Sequence, residues 1–144
     1  MEQKNYQCSI SAAVTPAAAF DGIANVGAWW AKNFKGRATT SGDTFRVEFG
    51  TTWVDFEIGE AIPGKRVVWN VTGCYLHWLK DKTEWTGTSV EWDISSNSGV
   101  TQIDMTHVGL FPGVECYEAC EVGWSGHIKG SLQNLLTTGV GQPE

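Results

Sequence analysis

The length, composition and charge of this chain limit its architecture and its partners. Its 144 residues predict one domain over residues 1–144, and the 42% hydrophobic content with eight tryptophans is enough for a large core. The net charge of -6 excludes nucleic acid and an anionic membrane as expected partners, because both bind to basic faces.

The N-terminal sequence predicts a cytoplasmic protein, and this location in turn predicts free thiols. The first residues, MEQKNYQCSIS, lack the basic segment and apolar core of a secretion signal, and no apolar run approaches the about 18 residues that span a bilayer. In the reducing cytoplasm we expect free thiols at all four cysteines, Cys8, Cys74, Cys116 and Cys120.

A strand and two short helices are predicted for the first quarter of the chain. Over Tyr6–Val14 apolar residues alternate with polar ones, which is typical of a half-buried strand. Thr15 and Pro16 form a helix start signal, because threonine can cap the first turn and proline fits into it. The sequence therefore predicts one helix over residues 16–26 and a second over residues 26–34.

The middle of the chain predicts an antiparallel sheet, since short alternating segments are separated by turn-forming residues. The predicted strands cover residues 44–49, 53–61, 66–73, 84–95 and 100–108, with a weaker one near residues 36–40. Only residues 74–83 remain as a longer, irregular connection.

Alternation along these strands assigns one apolar face and one polar face to the sheet. Asp55 and Glu57 belong to solvent, so Val54, Phe56 and Ile58 are expected to point inward. The same test adds further inward residues, which are Phe45, Val47, Phe49, Trp69, Val90, Trp92, Ile94, Ile103, Met105 and His107.

A long amphipathic helix is predicted over Val114–Thr138. Apolar residues recur there at helical spacing, and Gly139 follows as a C-terminal stop. The apolar stripe consists of Cys116, Tyr117, Cys120, Trp124, Ile128, Leu132 and Leu135. Because this stripe can cover the apolar face of the sheet, the fold class is α+β, with a curved antiparallel sheet around the helix.

A second side of this helix carries small residues, namely Ala119, Gly123, Gly126 and Gly130. Glycine inside a helix costs about 1 kcal/mol relative to alanine, so a packing reason is expected. Two interpretations remain open: close approach to another element of the same chain, or a surface for a homodimer.

The combined pattern resembles the homologues of the activator of the heat-shock protein 90 ATPase, within the START-like superfamily that includes the major birch pollen allergen. The matching stretches span nearly the whole chain and cover residues 20–30, 63–69, 84–88, 101–110 and 123–136. The resemblance implies a helix-grip fold, in which the sheet and the terminal helix enclose a hydrophobic cavity. It also implies three classes of function: ligand binding, co-chaperone-like interaction with another protein, and, as in a few members of the superfamily, enzymatic activity such as that of a cyclase.

Two sets of residues could carry chemistry. Cys116 and Cys120 lie one helical turn apart and could bind a soft metal with His107 or His127, but buried cysteines at helical spacing are more commonly core residues. His107 and Glu84 are predicted on neighbouring strands and could act as acid and base. Neither set is complete, so we expect no metal, no cofactor and no catalytic residue.

The sequence thus predicts a binding protein for a small hydrophobic molecule held between the sheet and the C-terminal helix. The alternatives are a co-chaperone-like interaction domain and a cyclase-like or hydrolase-like enzyme that uses the same cavity. The residues expected to line the cavity are Trp30, Phe45, Val47, Phe56, Trp69, Val90, Trp92, Ile94, Met105, His107, Cys120, Trp124 and Ile128.

Overall fold

Seven antiparallel strands form one curved sheet, and a long C-terminal helix packs on its apolar face. The structure is a computed structural model that describes residues 4–144. Its strands are β1 (Tyr6–Ala12), β2 (Asn33–Gly36), β3 (Thr44–Phe49), β4 (Thr52–Ile62), β5 (Arg66–Tyr75), β6 (Ser89–Asn97) and β7 (Val100–Val108). The helices are α1 (Pro16–Ala24), α2 (Val26–Trp29), α3 (Tyr117–Gly126) and α4 (Gln133–Thr138), with a π-helical segment (His127–Leu132) between the last two.

The order of the strands across the sheet is β1-β7-β6-β5-β4-β3-β2. Register agrees with the predicted faces: in β4 the side chains of Val54, Phe56 and Ile58 are buried, while Glu57 is exposed. Asp55 lies on the outer face and pairs with Arg46 of β3, at 2.6 Å from Nε to Oδ1. The predicted α+β helix-grip architecture is confirmed.

The start of α1 follows the predicted signal. The Thr15 hydroxyl accepts a hydrogen bond from the backbone N–H of Ala18 at 3.1 Å, and Pro16 occupies the first turn. At the other end of the chain Gly139 adopts a left-handed conformation, φ 87°, that ends α4 as predicted.

Three predicted elements differ from the structure. The weak strand predicted near residues 36–40 lies earlier, because strand β2 covers Asn33–Gly36 and residues 37–40 form no strand. The helix predicted over residues 26–34 ends at Trp29, because the residues from Asn33 onward pair with β3 as strand β2. The strand predicted from Glu84 begins only at Ser89, because the N–H of Thr88 bonds the carbonyl of Trp85 at 3.0 Å and closes a turn. The segment between β5 and β6, residues 76–88, is therefore longer than predicted.

The prediction of four free thiols is wrong for one pair. Cys116 and Cys120 form a disulfide, whereas Cys8 and Cys74 are free and buried. A spacing of four residues places two side chains on the same side of a helical turn, and the two Cα atoms are 5.6 Å apart, within the usual range for a disulfide. The predicted thiols rested on a cellular compartment, which residue spacing does not reveal.

The glycine side of the C-terminal helix does not approach another element of the described chain. A Cβ atom added at Gly123, Gly126 or Gly130 would have no heavy atom of residues 4–144 within 4 Å, leaving aside the helix's own nearby backbone. The interpretation as intrachain close packing is therefore wrong.

This open space leads to a first prediction. We expect Gly126→Ala to raise the free energy of unfolding by about 0.8–1 kcal/mol, because alanine favours the helix and meets no neighbour. Urea denaturation of both proteins measures the difference.

Gly22 of α1 provides the matched control, because a Cβ there would lie 2.7 Å from Leu136 Cδ2. Gly22→Ala should therefore gain less stability than Gly126→Ala. A loss of stability in Gly126→Ala would contradict the prediction and indicate that a second subunit packs on this side of the helix.

Within residues 4–144, no helix combines the length and the apolar character that crossing a bilayer requires.

Candidate functional site

A cavity of about 240 Å³ lies between the sheet and the C-terminal helix, beside the segment 76–88. It exceeds the roughly 150 Å³ apolar cavity that takes up benzene in an engineered protein. Its wall is formed by Trp30, Phe49, Thr52, Val54, Leu76, His77, Trp78, Trp85, Ala119, Cys120, Gly123, Trp124, His127 and Glu144.

Aromatic rings dominate this wall. Trp124 lies at its centre, with its ring 4.8 Å from that of Trp30 and stacked on Trp85 at 5.9 Å with an angle of 5°. Trp78 remains 47% exposed, so it lies at the rim where the cavity meets solvent. The wall is therefore built mainly from flat, rigid rings.

Polar groups occupy one part of the wall, around Phe49. Thr52 is the cross-strand partner of Phe49, and its hydroxyl lies 2.5 Å from His77 Nδ1. The ring of His127 lies 6.5 Å from that of Phe49, and His127 Nε2 is 4.0 Å from Glu144 Oε2. The cavity therefore has an apolar body and a polar side, as ligand pockets often do.

The segment that carries Trp78 and Trp85 is tied to the start of the C-terminal helix. The carboxylate of Glu115 accepts hydrogen bonds from the backbone N–H groups of Lys80 and Asp81, at 2.9 and 3.1 Å. These bonds lower the pKa of Glu115, because they favour its charged form. Lys82 Nζ also bonds the carbonyls of His77 and Leu79, at 2.9 and 2.8 Å. The charged side chains of Glu115 and Lys82 thus fix the backbone of the segment that forms the rim of the cavity.

Behind the wall, His107 is fully buried and both of its ring nitrogens are hydrogen-bonded. Trp124 Nε1 donates to His107 Nδ1 at 3.1 Å, and an indole N–H is a donor only. The proton of His107 is therefore on Nε2, which donates to Thr88 Oγ1 at 2.9 Å, and Thr88 donates to the carbonyl of Trp85 at 2.6 Å. This chain of bonds fixes the neutral tautomer and the orientation of Trp124.

The acid and base pair suggested by the sequence is not formed. Burial lowers the pKa of His107 to about 3, and its lone pair is occupied by Trp124. Glu84 lies in a turn instead of a strand, and its carboxylate accepts the backbone N–H of Cys116 at 3.4 Å. Burial raises the pKa of Glu84. His107 positions a wall residue and is not free to take a proton from a ligand.

The buried histidine predicts a loss of stability in mild acid. The pKa of an unfolded histidine is about 6.5, whereas that of His107 in the folded protein is about 3. Between pH 6.5 and about pH 3 the unfolded state therefore binds one more proton than the folded state. The free energy of unfolding decreases as the pH is lowered through this range. From pH 7.5 to pH 5 we expect His107 to contribute a loss of about 2 kcal/mol. Urea denaturation at both pH values measures it.

His107→Gln removes this titration and still offers an acceptor and a donor. The variant should lose about 2 kcal/mol less than the original protein over the same pH interval. Burial also lowers the pKa of His127, so part of the acid dependence should remain. An unchanged pH dependence in the variant would show that His107 does not titrate in this way.

Three of the thirteen residues predicted to line a cavity lie on its wall, namely Trp30, Cys120 and Trp124. The other ten are buried in the packed layer behind the wall, and these are Phe45, Val47, Phe56, Trp69, Val90, Trp92, Ile94, Met105, His107 and Ile128. Rings fill this layer: Trp92, for example, lies 5.1 Å from Trp69 and 5.7 Å from Trp29.

The sequence-based prediction did not include most of the wall. Phe49 and Val54 were assigned inward by alternation, and His127 follows Trp124 on the buried side of the helix, so these three had a signal. Ala119 and Gly123 belong to the predicted small-residue side of the helix, which was not assigned to a cavity. The remaining wall residues had no periodic signal, and they are Thr52, Leu76, His77, Trp78, Trp85 and Glu144.

Comparisons with solved structures support the fold. The Aha1 dimer from Colwellia psychrerythraea has a TM-score of 0.78 and 22% identity, covering 94% of this chain and 97% of that chain. Protein MLL2253 from Mesorhizobium loti has a TM-score of 0.67 and 14% identity, covering 91% and 96%. DynU16, from the dynemicin biosynthetic locus, has a TM-score of 0.71 and 18% identity, and the match covers 97% of this chain and 49% of DynU16.

No protein-family model matches this sequence, and no curated protein matches it significantly. The similarity to the solved structures is therefore one of fold. The resemblance inferred from the sequence is confirmed at that level: the chain has a helix-grip fold that it shares with the Aha1 structure and with protein MLL2253.

Proposed function

We propose that this chain is a binding protein for a small hydrophobic molecule, built as one START-like domain over residues 1–144. The observation that carries the proposal is the cavity of about 240 Å³, with five aromatic side chains in its wall (Trp30, Phe49, Trp78, Trp85 and Trp124). Apolar wall surface in contact with water is unfavourable, and an apolar ligand in the cavity would remove it from water.

The contrast between this wall and the core supports the proposal. Met105, Trp69 and Trp92 pack without exposure behind the wall, so the interior is filled where no ligand would lie. The volume suits a ligand of one or two fused rings better than a long lipid, because drug-sized ligand pockets begin at about 300 Å³.

Native mass spectrometry of freshly purified protein, combined with thermal melts, tests this function. A bound hydrophobic molecule should appear as additional mass that is lost on denaturation. Melting with a library of one-ring and two-ring aromatic compounds should identify members that raise the midpoint by several °C, since a ligand at about a hundredfold excess over Kd adds about 2.7 kcal/mol. No bound mass and no shift across the library would contradict the proposal.

A homodimer is a second proposal, and it concerns the outer side of the C-terminal helix. Val122 is 72% exposed on the outer side of this helix. A solved structure of similar fold is described as a dimer. Light scattering should then give twice the monomer mass, and Val122→Glu should reduce it to the monomer. A monomeric mass for the unchanged protein would exclude this assembly.

A further inference from the structure

The polar side of the cavity contains a gap between two groups that could both bind one ligand atom. His127 Nε2 and Glu144 Oε2 are 4.0 Å apart, which is too far for a direct hydrogen bond. An oxygen atom between them could lie within normal hydrogen-bond distance of both. Both residues belong to the cavity wall, so the gap can be reached by a polar atom of a molecule inside the cavity.

The surrounding structure fixes the backbone positions from which both side chains extend. The backbone of Glu144 is anchored on both sides, because its N–H donates to the carbonyl of Trp30 at 3.0 Å and its carbonyl accepts the N–H of Lys32 at 2.9 Å. His127 begins the π-helical segment, and its ring is 6.4 Å from that of Trp30. Segments of this kind frequently occur at functional sites, where the wider turn changes the direction of side chains.

The charges of the two groups define what fits between them. Burial lowers the pKa of His127, so its imidazole is neutral near pH 7 and can donate only one ring N–H. The carboxylate of Glu144 only accepts hydrogen bonds. A hydroxyl group can accept from the imidazole and donate to the carboxylate at the same time. An acidic ligand would instead be repelled by Glu144 and by the net charge of -6.

We propose that the ligand is a neutral aromatic alcohol of the phenol or naphthol class, with its rings among the tryptophans and its hydroxyl between His127 and Glu144. This inference rests on the binding function proposed above. It adds the chemical class of the ligand and the residues that recognise its polar group.

Isothermal titration calorimetry at pH 7.5 with four probes tests the inference. The probes are 2-naphthol, naphthalene, 2-methoxynaphthalene, which accepts but cannot donate, and 2-naphthoic acid, which is charged. We expect 2-naphthol to bind roughly tenfold more tightly than naphthalene, as a hydrogen bond to a charged group commonly allows. The methoxy compound and the acid should show no such gain.

Glu144→Ala identifies the recognising residue. This substitution should reduce the affinity ratio of 2-naphthol to naphthalene to about one, because it removes the acceptor. Glu144 has a mostly exposed side chain, so the substitution should not unfold the protein. Glu118→Ala is the matched control on the exposed side of α3, and it should keep the original ratio.

The outcomes separate the two proposals. If naphthalene binds as tightly as 2-naphthol, or if Glu144→Ala keeps the ratio, the inference about the hydroxyl is wrong and the binding function stands. If neither naphthalene nor 2-naphthol binds, both the proposed binding of one-ring or two-ring aromatic molecules and the proposed recognition of a hydroxyl group are wrong. Binding of 2-naphthol alone, lost in Glu144→Ala, would support both.

Discussion

Replacing Gly123 with leucine should abolish binding of 2-naphthol without destabilising the protein. Gly123 lies on the cavity wall, and a Cβ there meets no heavy atom of residues 4–144 within 4 Å beyond the helix's own nearby backbone. The leucine side chain would therefore enter the empty space that the ligand needs. Leucine also favours a helix over glycine by about 0.5–1 kcal/mol, so the free energy of unfolding should rise slightly. Calorimetric titration should show at least a hundredfold loss of affinity, on the order of 3 kcal/mol.

Gly126→Leu is the matched control for this experiment. It makes the same change three residues later in the same helix, also into open space, but Gly126 is not part of the cavity wall. Its affinity for 2-naphthol should equal that of the original protein, and light scattering should show whether either substitution changes the assembly. Equal affinities for all three proteins would show that the ligand binds elsewhere.

Replacing Trp92 with alanine should lower the free energy of unfolding by about 3–5 kcal/mol, the largest loss among the substitutions considered. Its side chain is fully buried, and its ring lies 5.7 Å from Trp29, 5.1 Å from Trp69 and 6.3 Å from Trp124. Alanine would leave a cavity among these rings that they cannot fill. Because a domain is stable by only about 5–15 kcal/mol, the variant should be close to unfolding at room temperature. Urea denaturation measures the loss.

Trp78→Ala provides the contrast, because this side chain is at the rim and half exposed. It should change the free energy of unfolding by less than about 1 kcal/mol, yet weaken the binding of 2-naphthol. A large loss of stability in Trp78→Ala, or a small one in Trp92→Ala, would contradict the division between wall and core.

Local sequence signals were sufficient to predict the architecture. Alternation in β4 placed Val54, Phe56 and Ile58 on the buried face, because a strand has a period of two and one face covers the core. The cap at Thr15 and the stop at Gly139 act within a few residues, so they can be inferred without the rest of the fold.

The depth of each inward residue could not be inferred in the same way. Alternation assigns Trp92 and Val54 to the same face of the sheet, yet the first is core and the second lies on the cavity wall. Which of them contacts empty space depends on how far the helix stands from each strand. That distance depends on packing among residues that are distant in sequence, such as Trp30 and Trp124.

The segment 76–88 was unpredictable for a different reason. It has no periodic apolar pattern, and its conformation depends on hydrogen bonds to Glu115 from Lys80 and Asp81, about 35 residues earlier in the chain. These bonds tie to the C-terminal helix the segment that carries Trp78 and Trp85, two residues of the cavity wall. The glycines of α3 misled the sequence-based interpretation, because a glycine that leaves space for a cavity and one that allows close packing look the same in a sequence.

If a small hydrophobic ligand binds in the cavity between the sheet and the C-terminal helix, it should contact the tryptophans of the wall and no other tryptophan. The ¹H–¹⁵N NMR signals of the eight indole N–H groups test this expectation most directly during titration with 2-naphthol. Trp30, Trp78, Trp85 and Trp124 line the cavity, and their signals should move. Trp85 should move most, because its indole N–H has no hydrogen-bond partner among residues 4–144.

The four other indoles serve as internal references in the same spectra. Trp29, Trp69 and Trp92 lie behind the wall, and Trp53 packs under the guanidinium of Arg46 on the outer face of the sheet. We expect the signals of these four indoles to stay nearly unchanged while the four wall signals move along one saturable binding curve. Signals that move only at Trp53, or no signal that moves at saturating 2-naphthol, would contradict binding in the cavity.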